Sequence, residues 1–158
     1  MDKAALLQAI IGQLKHDLTT QTQAALTSRE EATHEESKPE NKYDMHAQEA
    51  AYLAEGQARF AAELTEAINL YLGLSPAPWP AGKAAGLGAL VGVEAKGKTQ
   101  FYFLGPRNGG MEVSLDDQSV TVITPSSPLG RQLLGAGIGQ TILGTGRNSA
   151  AQQITAIT

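Results

Sequence analysis

The chain has 158 residues, 42% of them hydrophobic and 18% charged, and a formal net charge of −4 at pH 7. This length allows one domain or two small ones, and the composition excludes disordered, collagen-like and membrane-spanning chains, so we expect a cytoplasmic protein. The absence of cysteine excludes disulfides, thiolate zinc sites and a cysteine nucleophile, and the acidic charge with only 5% aromatic residues argues against direct nucleic-acid binding.

The first half of the chain carries two apolar stripes with the spacing of helix faces. Their members recur at alternating intervals of four and three residues, which keeps them on one side of a helix, and Gln21 and Gln57 interrupt them. Two helices of about 30 residues, at about 1.5 Å of rise per residue, predict an antiparallel coiled-coil hairpin with arms on the order of 45 Å long. The stripes are Leu7, Ile11, Leu14, Leu18 and Ala25, and Ala50, Leu53, Phe60, Leu64, Ala67 and Tyr71.

An acidic segment separates the two predicted helices. The window 30–44 holds six Asp and Glu against two Lys, a net charge of −4. We therefore predict an acidic hairpin tip at about residues 33–44. Ser37 and Glu40 also have the spacing of a capping box, in which each side chain bonds a free backbone N–H at the start of a helix. A purely structural role for Glu40 therefore stays open.

A Pro-rich segment divides the chain into halves of different charge. Residues 75–80 read SPAPWP, and three prolines within five positions remove backbone donors and forbid helix. The net charge is −6 up to residue 75 and +2 after it. Trp79 either packs this segment against a domain or serves as an exposed docking side chain. We predict a hairpin domain at 1–74, a linker at 75–82 and a second domain at 83–158.

The second half predicts a small antiparallel β domain closed by one short helix. Short β-branched or aromatic runs alternate there with turn residues. Ser127 as the cap, Pro128 in the first turn and Gly135 as the terminator predict the helix. The predicted strands are residues 89–95, 99–104, 119–124, 140–143 and 152–157.

Over essentially its whole length the chain resembles a divergent member of the bacterial Gre family of transcription elongation factors, GreA and GreB. Residues 122–135 read VITPSSPLGRQLLG, which is similar to the family's strand, Ser-Pro helix and closing Gly. The resemblance implies an α+β fold, with a helical hairpin followed by an FKBP-like antiparallel β domain that has one short helix. Further similar positions are Ile138, Gly139 and Gln140 after this segment, and Glu40, Asn41, Ala47, Glu49, Glu55 and Gly56 at the second hairpin helix.

The resemblance also implies an accessory factor of RNA polymerase core rather than an enzyme. In the family the hairpin enters the secondary channel of the polymerase, and its tip acids help to hold a second Mg²⁺ so that a backtracked transcript is hydrolysed. Mg²⁺ suits this arrangement, since it binds through one or two carboxylates plus phosphate oxygens. We expect a monomer that binds no cofactor stably, does not read DNA sequence, and reaches the nucleoid only through the polymerase.

The site residues implied by the resemblance lie at the hairpin tip. The family's tip reads acidic-x-x-Glu-Asn, whereas residues 37–41 read SKPEN. Ser37 thus stands at the first acidic position, Glu40 at the second, and Glu36 is the nearest replacement for the first. Glu36 and Glu40 are the implied Mg²⁺ ligands, and Ser37, Asn41 and Asp44 would support them.

The loop that opens the Ser-Pro helix is the second implied site. In the family it docks on the rim of the polymerase channel, which points to Ser126, Ser127 and Pro128, although a turn with a helix cap explains the same residues.

Two other functions stay open. The loss of the first tip carboxylate at Ser37 favours a channel-binding regulator without cleavage activity, because metal coordination tolerates little misplacement. The FKBP-like fold leaves a prolyl isomerase open, but its pocket needs an aromatic floor. Phe101, Tyr102 and Phe103 are consecutive, so alternate rings face opposite sides of a strand, which argues against isomerase activity.

Overall fold

The architecture is described from a computed structural model, which covers residues 1–33, 46–144 and 150–158. The chain divides into two compact units. We name Met1–Ile11 with Leu70–Thr158 the β unit, and Gly12–Asn69 the hairpin unit. The elements are α1 Lys3–Thr33, α2 His46–Leu72, β1 Leu90–Ala95, β2 Lys98–Leu104, β3 Glu112–Leu115, β4 Gln118–Ile123, α3 Pro128–Leu133, β5 Thr141–Leu143 and β6 Ala151–Ile157.

The predicted fold class is confirmed: a pair of long helices precedes a mostly antiparallel sheet with one short helix. The six strands of the sheet lie in the order β3-β4-β2-β1-β6-β5. Every neighbouring pair is antiparallel except β2 and β4, which run parallel. After β2 the chain reverses direction and forms β3 at the edge of the sheet. It then reverses again, and β4 lies between β3 and β2, so β4 runs parallel to β2.

Strand β3 is absent from the sequence prediction. Only Val113 of its four residues is buried, and Glu112 and Ser114 are exposed, so it lacks the apolar run that marked the other strands. A two-residue turn joins it to β4, and both turn residues, Asp116 and Asp117, have positive φ values of 51° and 60°. Asp tolerates this left-handed conformation better than most residues do, which suits a tight hairpin turn.

The core of the β unit lies between the sheet and α3. Leu129 and Leu133 of the helix pack with Val91, Leu104 and Ile154 from the strands, and all five are buried. At about 25 cal/mol per Å² of apolar surface, each fully buried side chain of this size contributes about 2 kcal/mol to folding.

The last turn of α2 is joined to the loop after β2. The Tyr71 ring stacks on Phe103 with centroids 6.4 Å apart, and the Tyr71 hydroxyl donates a hydrogen bond of 2.8 Å to the Arg107 carbonyl. Burial raises the pKa of this hydroxyl, and its hydrogen bond to Arg107 lowers the pKa by a smaller amount. Gly105 must lack a side chain, because a Cβ there would overlap the Tyr71 hydroxyl.

One edge of the sheet is closed by a side chain of α3. The Gln132 amide donates from Nε2 to the Leu143 carbonyl, at 3.1 Å, and its Oε1 accepts from the Leu143 N–H, at 2.8 Å. The amide thus occupies outward-facing backbone groups of β5 that a further strand would otherwise bind.

The hairpin unit is held by a narrower seam. Leu14, Leu64 and Ile68 are buried near one end of the unit, and the Ser28 hydroxyl donates to Gln57 Oε1, at 2.9 Å, in its middle. The hydrogen bond joins residues 29 positions apart, as an antiparallel helix pair requires.

The predicted stripe of α2 is wrong in its middle. Leu53 and Phe60 are 56% and 45% exposed, whereas Ala54 and Ala61, one residue later in each case, are half-buried. Small side chains let helices approach closely, so alanines can take positions in a seam that the apolar pattern assigned to larger neighbours.

Candidate partner-binding site

The predicted hairpin tip lies outside the described residues. This applies to the proposed Mg²⁺ ligands Glu36 and Glu40 and to their predicted supports Ser37, Asn41 and Asp44, so their roles stay predictions. Acidic residues on the two helices beside the tip are described: Glu30 near the end of α1 and Glu49 in the first turn of α2 are both exposed.

The Ser127 loop, by contrast, is described in full. Ser127 is the N-cap of α3 and accepts the Gly130 N–H at 3.0 Å. Its hydroxyl also donates to the Thr124 carbonyl at 2.8 Å, and its own N–H bonds the same carbonyl at 3.0 Å. One side chain therefore satisfies a free N–H of the helix and ties the helix start to the end of β4.

Two further residues fix the shape of this loop. A Cβ at Gly130 would overlap the Thr124 carbonyl, so the helix can start this close to β4 only with Gly there. Arg131 Nη1 donates to the Ser126 carbonyl at 2.6 Å, which bridges the loop from outside. The sequence prediction named Ser126, Ser127 and Pro128 for this site and missed Arg131.

The exposed surface of the loop combines polar, cationic and apolar groups. Ser126, Pro128 and Arg131 are exposed, and Leu134, three residues further on, is 48% exposed. Pro128 and Arg131 are three residues apart on α3, so they lie on one side of the helix, away from the buried Leu133, and Leu134 follows the helix as its C-cap. Ser127 points inward as the cap, so a partner would meet its neighbours rather than its hydroxyl.

No metal site is evident in the described part of the chain, where no group of three or more His, Asp or Glu side chains could hold an ion. Among the same residues, no helix has the length and apolarity needed to cross a bilayer.

One depression on the sheet is lined by polar and aromatic side chains. A depression of about 500 Å³ lies over β2 and β4. Tyr102 packs toward the α3 core, whereas Phe103 stacks on Tyr71, so consecutive rings diverge as the strand alternation predicts. Phe101 and Tyr102 line the depression, whereas Phe103 does not. The depression is lined by Thr99, Gln100, Phe101, Tyr102, Glu112, Asp117, Gln118, Ser119 and Thr121.

The chain thus combines a two-helix hairpin with a six-stranded, mostly antiparallel sheet and a Ser-Pro helix. No protein-family model matches the sequence, and neither does any curated protein.

Solved structures of Gfh1 are similar to this chain. The GreA factor homolog 1 (Gfh1) protein of Thermus thermophilus is 19% identical, with 94% of each chain covered and a TM-score of 0.40. Thermus aquaticus Gfh1 is 23% identical, with 99% of this chain and 96% of that chain covered and a TM-score of 0.38. A structure described as the transcription factor Gfh1 is 19% identical, with coverage of 94% and 93% and a TM-score of 0.39.

Proposed function

We propose that this chain is a Gre-like transcription factor that binds RNA polymerase core through the secondary channel and stimulates cleavage of backtracked transcripts. One observation carries the proposal. The described helices end at Thr33 and begin again at His46, and residues 34–45 between them hold four Asp and Glu against two Lys, a net charge of −2 within the acidic window 30–44.

The chemistry of the tip follows from its carboxylates. A cation at the polymerase centre with part of its shell filled by phosphate and water can take one or two further carboxylate ligands, and Glu40 and Glu36 are the candidates. The Mg²⁺ is then shared with the polymerase, and the factor has no catalytic cycle of its own. The protein would work in the cytoplasm as a monomer at the nucleoid, held there by the polymerase.

The Ser127 loop provides the second contact. Its geometry is fixed by the Ser127 cap and by Gly130, and it exposes Pro128, Arg131 and Leu134 to a partner. A rigid, partly apolar surface with one cation suits docking on the rim of a larger protein, because little side-chain entropy is lost on binding.

A regulator that occupies the channel without stimulating cleavage is the alternative. The observation that favours it is Ser37, which supplies a cap but no charge at the position where the family has an acid.

Binding is tested by co-purification with polymerase core and by competition with other channel-entering factors. Arg131→Glu should weaken binding at least about 10-fold, because reversing an interface charge costs more than 1.4 kcal/mol. Lys98→Glu, an equal charge change on an exposed β2 residue, is the matched control. Failure of the wild-type protein to bind core at micromolar concentration would contradict both the cleavage factor and the regulator.

A stalled-complex cleavage assay distinguishes the factor from the regulator. Glu40→Ala should abolish stimulation and Ser37→Asp should raise it, whereas Glu30→Ala, an exposed acid within α1, should leave it unchanged. If the wild-type protein binds but neither it nor the Ser37→Asp variant stimulates cleavage, the protein is a channel-binding regulator without cleavage activity.

A further inference from the structure

The predicted linker contains a tryptophan that packs within the β unit. Trp79 is half-buried, and its indole Nε1 donates to the Ala84 carbonyl at 3.3 Å. Its ring lies against Gly86, where an added Cβ would come within 3.2 Å of it. Trp79 therefore packs its segment against the β unit and is not an exposed docking side chain.

Two lysines converge on this ring. Lys83 Nζ lies 4.9 Å from the ring centroid and Lys3 Nζ lies 5.1 Å from it, so the two ammonium groups are at most about 10 Å apart. Lys3 is only 7% exposed. Burial, and to a smaller extent the charge of Lys83, lower the pKa of Lys3.

The charge that shifts the pKa of Lys3 is the like charge of Lys83, and no carboxylate in the described part of the chain contributes to that shift. Asp2 precedes Lys3, but it caps the helix, with its Oδ1 accepting the Ala4 N–H at 3.0 Å. Two ammonium groups thus lie over one ring in a protein whose net charge is −4.

We propose that Lys3, Lys83 and Trp79 form a binding site for a pyrophosphate-type anion. Such an anion carries several negative charges, which offsets both ammonium groups, and its oxygens accept charge-assisted hydrogen bonds. It is longer than a single phosphate, which suits two donors that each lie about 5 Å from the centre of one indole ring. Free pyrophosphate and the phosphates of a nucleoside diphosphate share this chemistry. The inference does not depend on polymerase binding.

The chain has one tryptophan, so its fluorescence reports on this site alone. Titration of the full-length protein with pyrophosphate should change the emission with a saturable curve, whereas chloride at matched ionic strength should not. A parallel titration with a nucleoside diphosphate shows which source binds more tightly. Lys83→Gln should weaken binding about 10-fold, the effect of losing one charge-assisted hydrogen bond.

Lys98→Gln is the control for general charge, because it removes one exposed cation of the β unit that is not over the ring. Lys3→Gln should behave as Lys83→Gln does, and since Lys83 is exposed, its variant keeps the test valid if Lys3→Gln fails to fold. The proposal is overturned if pyrophosphate and chloride act alike, or if Lys98→Gln weakens binding as much as Lys83→Gln.

Discussion

The two units of this chain bury their side chains to very different degrees. In the β unit, Phe103, Leu133 and Ile154 are completely buried. In the hairpin unit, Leu14 and Leu64 are buried, but Leu26 and Phe60 remain 50% and 45% exposed. The β unit is therefore stabilised by a three-dimensional core, whereas the hairpin unit relies on helix propensity and a narrow seam. Apolar spacing in a sequence therefore predicts the presence of a helix more reliably than it predicts which side chains of that helix are buried.

The sharpest test of this contrast uses a matched pair of phenylalanines. Phe103→Ala should lower the free energy of unfolding by about 3–5 kcal/mol, because it leaves a cavity in a packed core. Phe60→Ala should cost less than about 1 kcal/mol, because its ring is 45% exposed and Ala favours helix. Urea denaturation followed by circular dichroism measures both. Equal losses would show that Phe60 is buried in solution.

The second test concerns the hydrogen bond of Tyr71. Tyr71→Phe removes the 2.8 Å bond to the Arg107 carbonyl, so unfolding should become easier by about 1–2 kcal/mol. Tyr52→Phe is the control, since Tyr52 is 65% exposed.

The same residue makes stability depend on pH. Burial raises the pKa of Tyr71 above its ordinary value of 10.0, so the folded state retains a proton that the unfolded state releases. This contribution is fully present below pH 10.0 and is lost as the pH rises above it. The wild-type protein should therefore lose more stability than Tyr71→Phe does in alkaline denaturation. Identical alkaline profiles would contradict a buried, neutral phenol.

Much of the fold could be predicted from the sequence, because its signals are local. Short β-branched or aromatic runs between turn residues marked β1, β2, β4, β5 and β6, and Ser127 with Pro128 marked α3. Strand β3 and the parallel β2–β4 pair could not be predicted, since β3 buries one residue only and pairing partners are not encoded locally. The middle of the α2 stripe was misassigned because alanines carry a weak apolar signal.

The shape of the Ser127 loop was predictable in part, whereas its docking role and the roles of the tip residues stay predictions. A Ser-Pro motif indicates a cap, and the structure gives Ser127 that role. Arg131 was missed because a lone arginine on a short helix carries no pattern; only the folded loop brings its guanidinium to the Ser126 carbonyl.

A matched pair of serines separates the cap from the docking surface. Ser127→Ala should destabilise the β unit by about 1 kcal/mol, since it removes both the bond to the Gly130 N–H and the bond to the Thr124 carbonyl. Ser126→Ala should cost less than about 0.5 kcal/mol, because the Ser126 hydroxyl is exposed and contacts only Thr124 Oγ1, at 3.3 Å. Thermal denaturation measures both. A larger loss for Ser126→Ala would contradict the assignment of Ser127 as the cap.

The smallest expected effect lies in the hairpin seam. Ser28→Ala removes the bond to Gln57 Oε1, which costs about 1 kcal/mol, but Ala is the better helix former by about 0.5 kcal/mol, so the net loss should be about 0.5 kcal/mol. Thr27→Ala is the control: Thr27 is exposed and bonds only the Gln23 carbonyl of its own helix, so its change should stabilise by about 0.5 kcal/mol. The two variants should therefore differ in thermal denaturation by about 1 kcal/mol, the contribution of the Ser28–Gln57 bond. If both variants stabilise equally, that bond contributes nothing and the hairpin is held by its helices and apolar contacts alone.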